Sequence, residues 1–313
     1  MAAIAACIDD GMTDLEKLTA LHDWICLHVD YGVSPDSETA YGALVKGKGV
    51  CVGYAAGYAC VAALAGLNGV MTYSETIDHA WILATLDGVR YFSDATWDDG
   101  KYQRMGLIRH SYFLFDADNA ADTHHVGWDS GEAVPGGALE LVPWRDAVTR
   151  VIFDGDYAWY IDDTFTLWRC DRDTWQTRSL LTLDIRWPDA DPDDGAAPEI
   201  YAGLVLNDGR LWFATPYDLR SVDTDGGDMR TELAPELDDE IICGVGVQNG
   251  VIVYTRSESF DALLYDVIET DIPAANAWGY AAQSEPESES EPEPADPSPI
   301  AEKLLVRRFL AAM

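Results

Sequence analysis

A short phrase occurs three times in the second half of this chain and leaves little choice of architecture there. Phe153-Asp154-Gly155 leads into Ala158-Trp159-Tyr160, Asn207-Asp208-Gly209 into Leu211-Trp212-Phe213, and Gln248-Asn249-Gly250 into Ile252-Val253-Tyr254. Asp-Gly and Asn-Gly suit the tight turns that join antiparallel strands, and the aromatic and β-branched triplets that follow favour extended backbone. Each phrase runs on to a second strand ending in Asp171, Asp223 or Asp266, at Gly-to-Asp intervals of 14 to 16 residues. From about residue 145 no helical period competes with this pattern. The spacing predicts an all-β repeat module over 141–282, built of units of four or fewer strands as in propeller blades. Three units fall short of the usual four or more blades, so a partial, propeller-like array is expected.

The first 140 residues read differently. Thr13 and Glu16 have capping-box spacing, and Leu15, Leu18, Leu21, Ile25 and Val29 follow at near-helical intervals, which predicts a helix over 14–29. After a polar loop, Lys46-Gly47-Lys48-Gly49 interrupts regular structure. A small-residue, buried helix is then expected to run to about Gly66, with Cys51 in its first turn. Ala80 to Leu86 and Val89 to Ala95 read as strands of a hairpin around Asp87-Gly88, and Tyr112 to Phe115 as a further strand. The fold class is α+β for this part. A length of 313 residues fits two modules at roughly 150 residues each.

With 48% hydrophobic residues the chain has enough apolar surface to fold. The exception is 283–299, a Glu/Pro/Ser-rich acidic stretch expected to be a disordered linker, before a short amphipathic helix over 300–313. Fifty-five acids against twenty bases give a net charge of −35. Such a surface repels phosphate, which argues against nucleic acid as a partner. No run approaches the ~20 apolar residues of a membrane span. Met1 to Cys7 reads as a stub without an intact export signal, although the acidic surface, repeats and linker fit a cell-envelope setting. The six cysteines, Cys7, Cys26, Cys51, Cys60, Cys170 and Cys243, lack metal-ligand spacing, so neither a metal nor another cofactor is expected. Asp189 to Gly195 looks superficially like a calcium loop, but its glycine falls one place late and a proline interrupts it.

A cysteine attacks an amide as thiolate, which needs a site that stabilises the anion, such as a helix N-terminus beside an imidazole. Cys51 has the helix. The first-turn N–H groups of that helix could also face a reacting carbonyl oxygen. The hairpin supplies the imidazole. With Asp87-Gly88 central, His79 pairs with Thr96 and Trp81 with Asp94. His79 and Asp94 then share a face as diagonal neighbours, roughly 7–8 Å apart at the backbone and within reach of one another.

These residues resemble a known family. Gly-Val-Cys51-Val-Gly-Tyr-Ala, Asp-His79-Ala-Trp and Tyr-Phe-Ser-Asp94-Ala-Thr-Trp-Asp, with Asp23-Trp24-Ile25-Cys26 and Ala40-Tyr41-Gly42-Ala43-Leu44 upstream, are similar to the bacterial transglutaminase-like superfamily over about 14–125. The resemblance implies a papain-like core in which Cys51 is the nucleophile, His79 the general base and acid, and Asp94 the group that orients the imidazole. Tyr41 is a candidate oxyanion donor, and Trp81 and Trp97 are candidates for the substrate groove. Cys26 and Cys60 read as core. His22 and His28, without a matched carboxylate, read as solvated or packing residues, and His124-His125 as a surface loop.

The expected function is a thiol enzyme acting on peptide or side-chain amides through an acyl-enzyme. Hydrolysis of a protein or cell-wall peptide is favoured over transfer to an amine. The rival is a catalytically idle scaffold of the same fold whose β-repeat module binds a polymer or protein partner.

Overall fold

The computed structural model describes residues 7–99, 106–117, 125, 127, 142–183, 203–258 and 266–274. All of them belong to one compact unit, Met1–Ala282. The expected acidic linker, the helix over 300–313, the calcium-like loop and His124 lie outside the described residues.

Helix α1 (Asp14–His28) begins as its sequence predicts. The Thr13 hydroxyl accepts from the Glu16 amide, and the Glu16 carboxylate accepts from the Thr13 amide at 2.7 Å. Leu18, Leu21 and Ile25 are fully buried. A second helix, α2 (Ala40–Lys46), was expected as loop; at seven residues it is too short to show a helical period. Thr39 caps its start, and Gly47, with φ of +66°, ends it. Strands β1 (Asp30–Tyr31) and β2 (Lys48–Gly49) pair in parallel and lay the segment after α1 against the entry to α3 (Cys51–Leu64).

Helices α1 and α3 pack together, and α3 lies on a three-stranded antiparallel sheet in the order β3 (Asn68–Ser74), β4 (His79–Leu86), β5 (Val89–Ser93). The Asp87-Gly88 turn has positive φ at both positions, 52° and 79°. It sets the expected register from Leu86↔Val89 to Ile82↔Ser93. The strand expected to reach Ala95 stops at Ser93, because Asp94 caps a one-turn helix, α4 (Ala95–Asp98). The pairings expected beyond Ile82↔Ser93 are therefore absent from the ladder. Tyr112 to Phe115 runs beside β5 but makes only one bridge, Phe92↔Phe115, since Leu114 turns left-handed at φ of +48°.

The repeats fold as three successive antiparallel meanders. The first is β6 (Ile152–Asp154), β7 (Tyr157–Ile161), β8 (Thr166–Asp171) and β9 (Thr177–Thr182); the second is β10 (Val205–Asn207), β11 (Arg210–Ala214), β12 (Leu219–Asp223) and β13 (Arg230–Leu233). The third has three strands, β14 (Ile241–Gln248), β15 (Val251–Ser257) and β16 (Asp266–Pro273). Asp171 and Asp223 end strands as expected, whereas Asp266 opens one. The core around α1, α3 and β4 continues without a break through Trp144, Phe153, Tyr160 and Cys170, so the first meander shares the apolar interior of the helical part.

Candidate active site

Cys51 is the first residue of α3 and is half-buried. This helix start has Val50 at the N-cap position and no side-chain cap among the described residues. Its leading N–H groups therefore face outward with the positive end of the helix dipole, beside the sulfur. Gly53 allows this placement: a Cβ there would lie 2.2 Å from the Ser37 carbonyl, so only glycine lets the helix start press on the loop before α2.

His79 opens β4, and its Nε2–H donates to Asp94 Oδ2 at 2.6 Å. The Asp94 Oδ1 atom accepts from the backbone N–H groups of Thr96 at 2.9 Å and Trp97 at 3.3 Å. The cap that ends β5 is thus the same carboxylate that holds the imidazole. With Nε2 engaged, Nδ1 is the ring atom left to face Cys51, whose interaction with the imidazole also favours its charged form. Burial opposes charge on His79, but the hydrogen bonds to Asp94 and Cys51 outweigh it and raise its pKa to about 9. Burial likewise opposes charge on Asp94; the hydrogen bonds from His125 and His79 hold its carboxyl below the ordinary range.

Aromatic rings fix this imidazole. Trp97 stacks on His79 at 4.8 Å between centroids and Trp81 at 5.7 Å. Trp81 is 1% exposed, so it supports His79 from the core and does not line a groove. Trp97 is half-buried. Tyr41 stands on α2, 48% exposed under the Lys46 ammonium; among the described residues no hydrogen bond or ring contact joins it to Cys51, His79 or Asp94. Two other tyrosines are coupled to Cys51: Tyr31 and Tyr73 are both exposed, and burial and then Cys51 raise Tyr31, while Tyr73 is pushed to about 12 chiefly by its bond to Asp78. Nothing in their local pattern marked them, because strand pairing alone brings them to α3.

Two of the histidine expectations are corrected. His125 is not on a surface loop: it is fully buried, and its Nε2–H donates to Asp94 Oδ2 at 2.8 Å. His22 is neither solvated nor without a carboxylate; it lies fully buried between Asp23 at 3.1 Å and Asp98 at 3.0 Å. His28 packs, stacked on Trp24 at 4.4 Å. Cys26 is core, whereas Cys60 is only half-buried. Two sets, His79/Asp94/His125 and His22/Asp23/His110, have ligand-type atoms close enough to surround a cation. In both, those atoms already face one another at hydrogen-bond distances of 2.6–3.1 Å.

The family model described as Transglutaminase-like superfamily matches residues 2–93. Kyphoscoliosis peptidase of Homo sapiens is 30% identical over 113 residues, covering 30% of this chain and 17% of that protein; its Mus musculus counterpart is 28% identical over the same coverage. The chain thus spans about a sixth of the length of these curated relatives. Among solved structures, a candidate cysteine protease from Cytophaga hutchinsonii aligns at 21% identity over 30% of this chain and 35% of that one, with a TM-score of 0.26. A TGase aligns at 16% identity over 30% and 28%, with a TM-score of 0.25. The N-terminal part of this chain carries a transglutaminase-like superfamily domain, a domain of thiol-enzyme type.

Proposed function

We propose that this protein is a thiol enzyme that cleaves amides through an acyl-enzyme, with Cys51 as nucleophile, His79 as proton shuttle and Asp94 as the group that orients His79. The observation that supports this reading is the hydrogen bond from His79 to Asp94 Oδ2, with Cys51, which also raises the His79 pKa, at the first residue of a helix. The sulfur attacks the carbonyl carbon, and the first-turn N–H groups of α3 receive the developing oxyanion. His79 gives its proton to the leaving amine. Water, deprotonated by the now neutral imidazole, then attacks the thioester, and the carboxylate product leaves as the thiol re-forms.

The substrate we infer is a protein or peptide, including a cell-wall peptide, and hydrolysis is favoured over transfer to an amine. The three meanders are read as a propeller-like partial array over 141–282 that presents this substrate to the domain over 1–140.

Iodoacetamide labelling near neutral pH, resolved by peptide mass mapping, tests the reading together with amide turnover. Cys51 is expected to react at least about tenfold faster than Cys60 or Cys170, and Cys51→Ala to abolish turnover. Equal labelling, with turnover surviving in Cys51→Ala, would instead favour the idle scaffold.

A further inference from the structure

We propose that His125 is a positioning residue of this site, a second imidazole that locks the Asp94 carboxylate so that His79 is held in line with Cys51. The inference rests on the reading of Cys51, His79 and Asp94 as a catalytic set.

An imidazole with no exposed surface costs free energy unless its polar atoms find partners. His125 finds the same oxygen that His79 uses: Asp94 Oδ2 receives Nε2–H from His79 at 2.6 Å and from His125 at 2.8 Å. With the amides of Thr96 and Trp97 on Oδ1, four donors occupy the roughly four lone-pair sites of one carboxylate. A carboxylate so held cannot rotate without breaking a bond, and its fixed plane sets the direction of the His79 ring. The His125 ring is itself caged by Trp97 at 4.3 Å, Phe115 at 4.6 Å and Trp81 at 4.8 Å between centroids.

The chain is anchored beside it. Gly127 has φ of +70°, and a Cβ there would lie 2.1 Å from the Thr76 hydroxyl oxygen. Gly127 therefore sits directly on the turn between β3 and β4, against the residue three before His79. Only glycine allows that seat, so Gly127→Ala is a second way to move His125 without touching Asp94.

The test uses the full chain as wild type, His125→Phe, His125→Gln and Gly127→Ala, with two readouts. One is the pH profile of Cys51 alkylation by iodoacetamide; the other is the proton NMR resonance of the His79 Nε2–H, shifted downfield by Asp94. In His125→Phe, which keeps a ring and loses the donor, alkylation near neutral pH is expected to fall about tenfold and the His79 resonance to move. His125→Gln, which keeps an N–H donor, should recover alkylation to within about threefold of wild type. Gly127→Ala should move both readouts toward those of His125→Phe, and decides the matter if that variant does not fold. An unchanged alkylation profile and an unmoved resonance in His125→Phe, or equal impairment in His125→Gln, would overturn the proposal. If wild-type Cys51 is itself no faster than Cys60, the thiol-enzyme reading fails separately. The His79 resonance alone then decides for or against His125.

Discussion

Asp94 uses its two oxygens for different ends: Oδ1 starts α4, and Oδ2 receives two imidazoles. Asparagine can also cap a helix, so Asp94→Asn should keep α4 while removing the charge that holds His79 protonated. Its titration, followed by NMR of the imidazole C–H protons, is expected to fall from about 9 toward the ordinary 6.5. An unchanged midpoint would assign the upward shift to Cys51 instead. Because the folded pKa is raised, the stability drawn from the His79 proton is fully present below about pH 6.5 and is lost as pH climbs through about 9, while that drawn from the Asp94 charge fades at acid pH. The His79–Asp94 relation was only partly legible in the sequence: the two-residue turn sets the register as far as Ile82↔Ser93, but the contact itself is made by Asp94 as it leaves the ladder to cap α4. His125 was not legible. It lies 31 residues from Asp94 in a segment without periodicity, and only burial distinguishes it from a surface imidazole.

Among the elements, α1 illustrates how much local chemistry the sequence reveals and what it omits. The capping box was readable from Thr13 and Glu16, but Glu16 has a distant partner as well. Arg172, just past β8, donates from Nε to Oε1 at 2.6 Å and from a terminal nitrogen to Oε2 at 3.0 Å. Glu16 is 1% exposed, and although burial opposes its charge, Arg172 and Thr13 keep its carboxyl below the ordinary range. Removing one partner of a fully buried pair costs about 3–5 kcal/mol. Arg172 retains some exposure, so Arg172→Ala should lower unfolding free energy in urea by about 2–3 kcal/mol. A loss below about 1 kcal/mol, typical of exposed pairs, would show that the clamp is solvent-screened. No sequence period reports such a contact, since its residues belong to two elements 156 positions apart. The meanders were legible for the opposite reason: their Asx-Gly turns and aromatic triplets are local.

At the scale of the whole molecule, one buried network decides whether the helical part and the first meander melt together. Asp23 Oδ1 accepts from His22 at 3.1 Å and His110 at 2.9 Å, its Oδ2 accepts from the Val151 amide at 2.8 Å, and His22 reaches Asp98 at 3.0 Å. All four side chains are fully buried. Val151 leads into β6, and the surrounding core includes Trp144, Phe153 and Tyr160, so the network ties α1 and α4 to the repeats. Burial penalises charge on both Asp23 and His22. The charge and hydrogen bonds of His110, with the bond from His22, nevertheless hold the Asp23 carboxyl well below its ordinary range. Cys26 beside it and hydrogen bonds to Asp23 and Asp98 hold the His22 imidazole well above its own. The contribution of Asp23 is therefore complete above about pH 4 and fades as pH falls, while that of His22 is complete below about pH 6.5 and fades as pH rises. Scanning calorimetry of residues 1–282 should show one transition, with Asp23→Asn lowering its midpoint most between about pH 4 and pH 6.5. A β module that melts separately, at a temperature Asp23→Asn leaves unchanged, would mean that the shared core does not couple the two parts. A single transition means that the elements that carry Cys51 and His79 unfold together with the repeats.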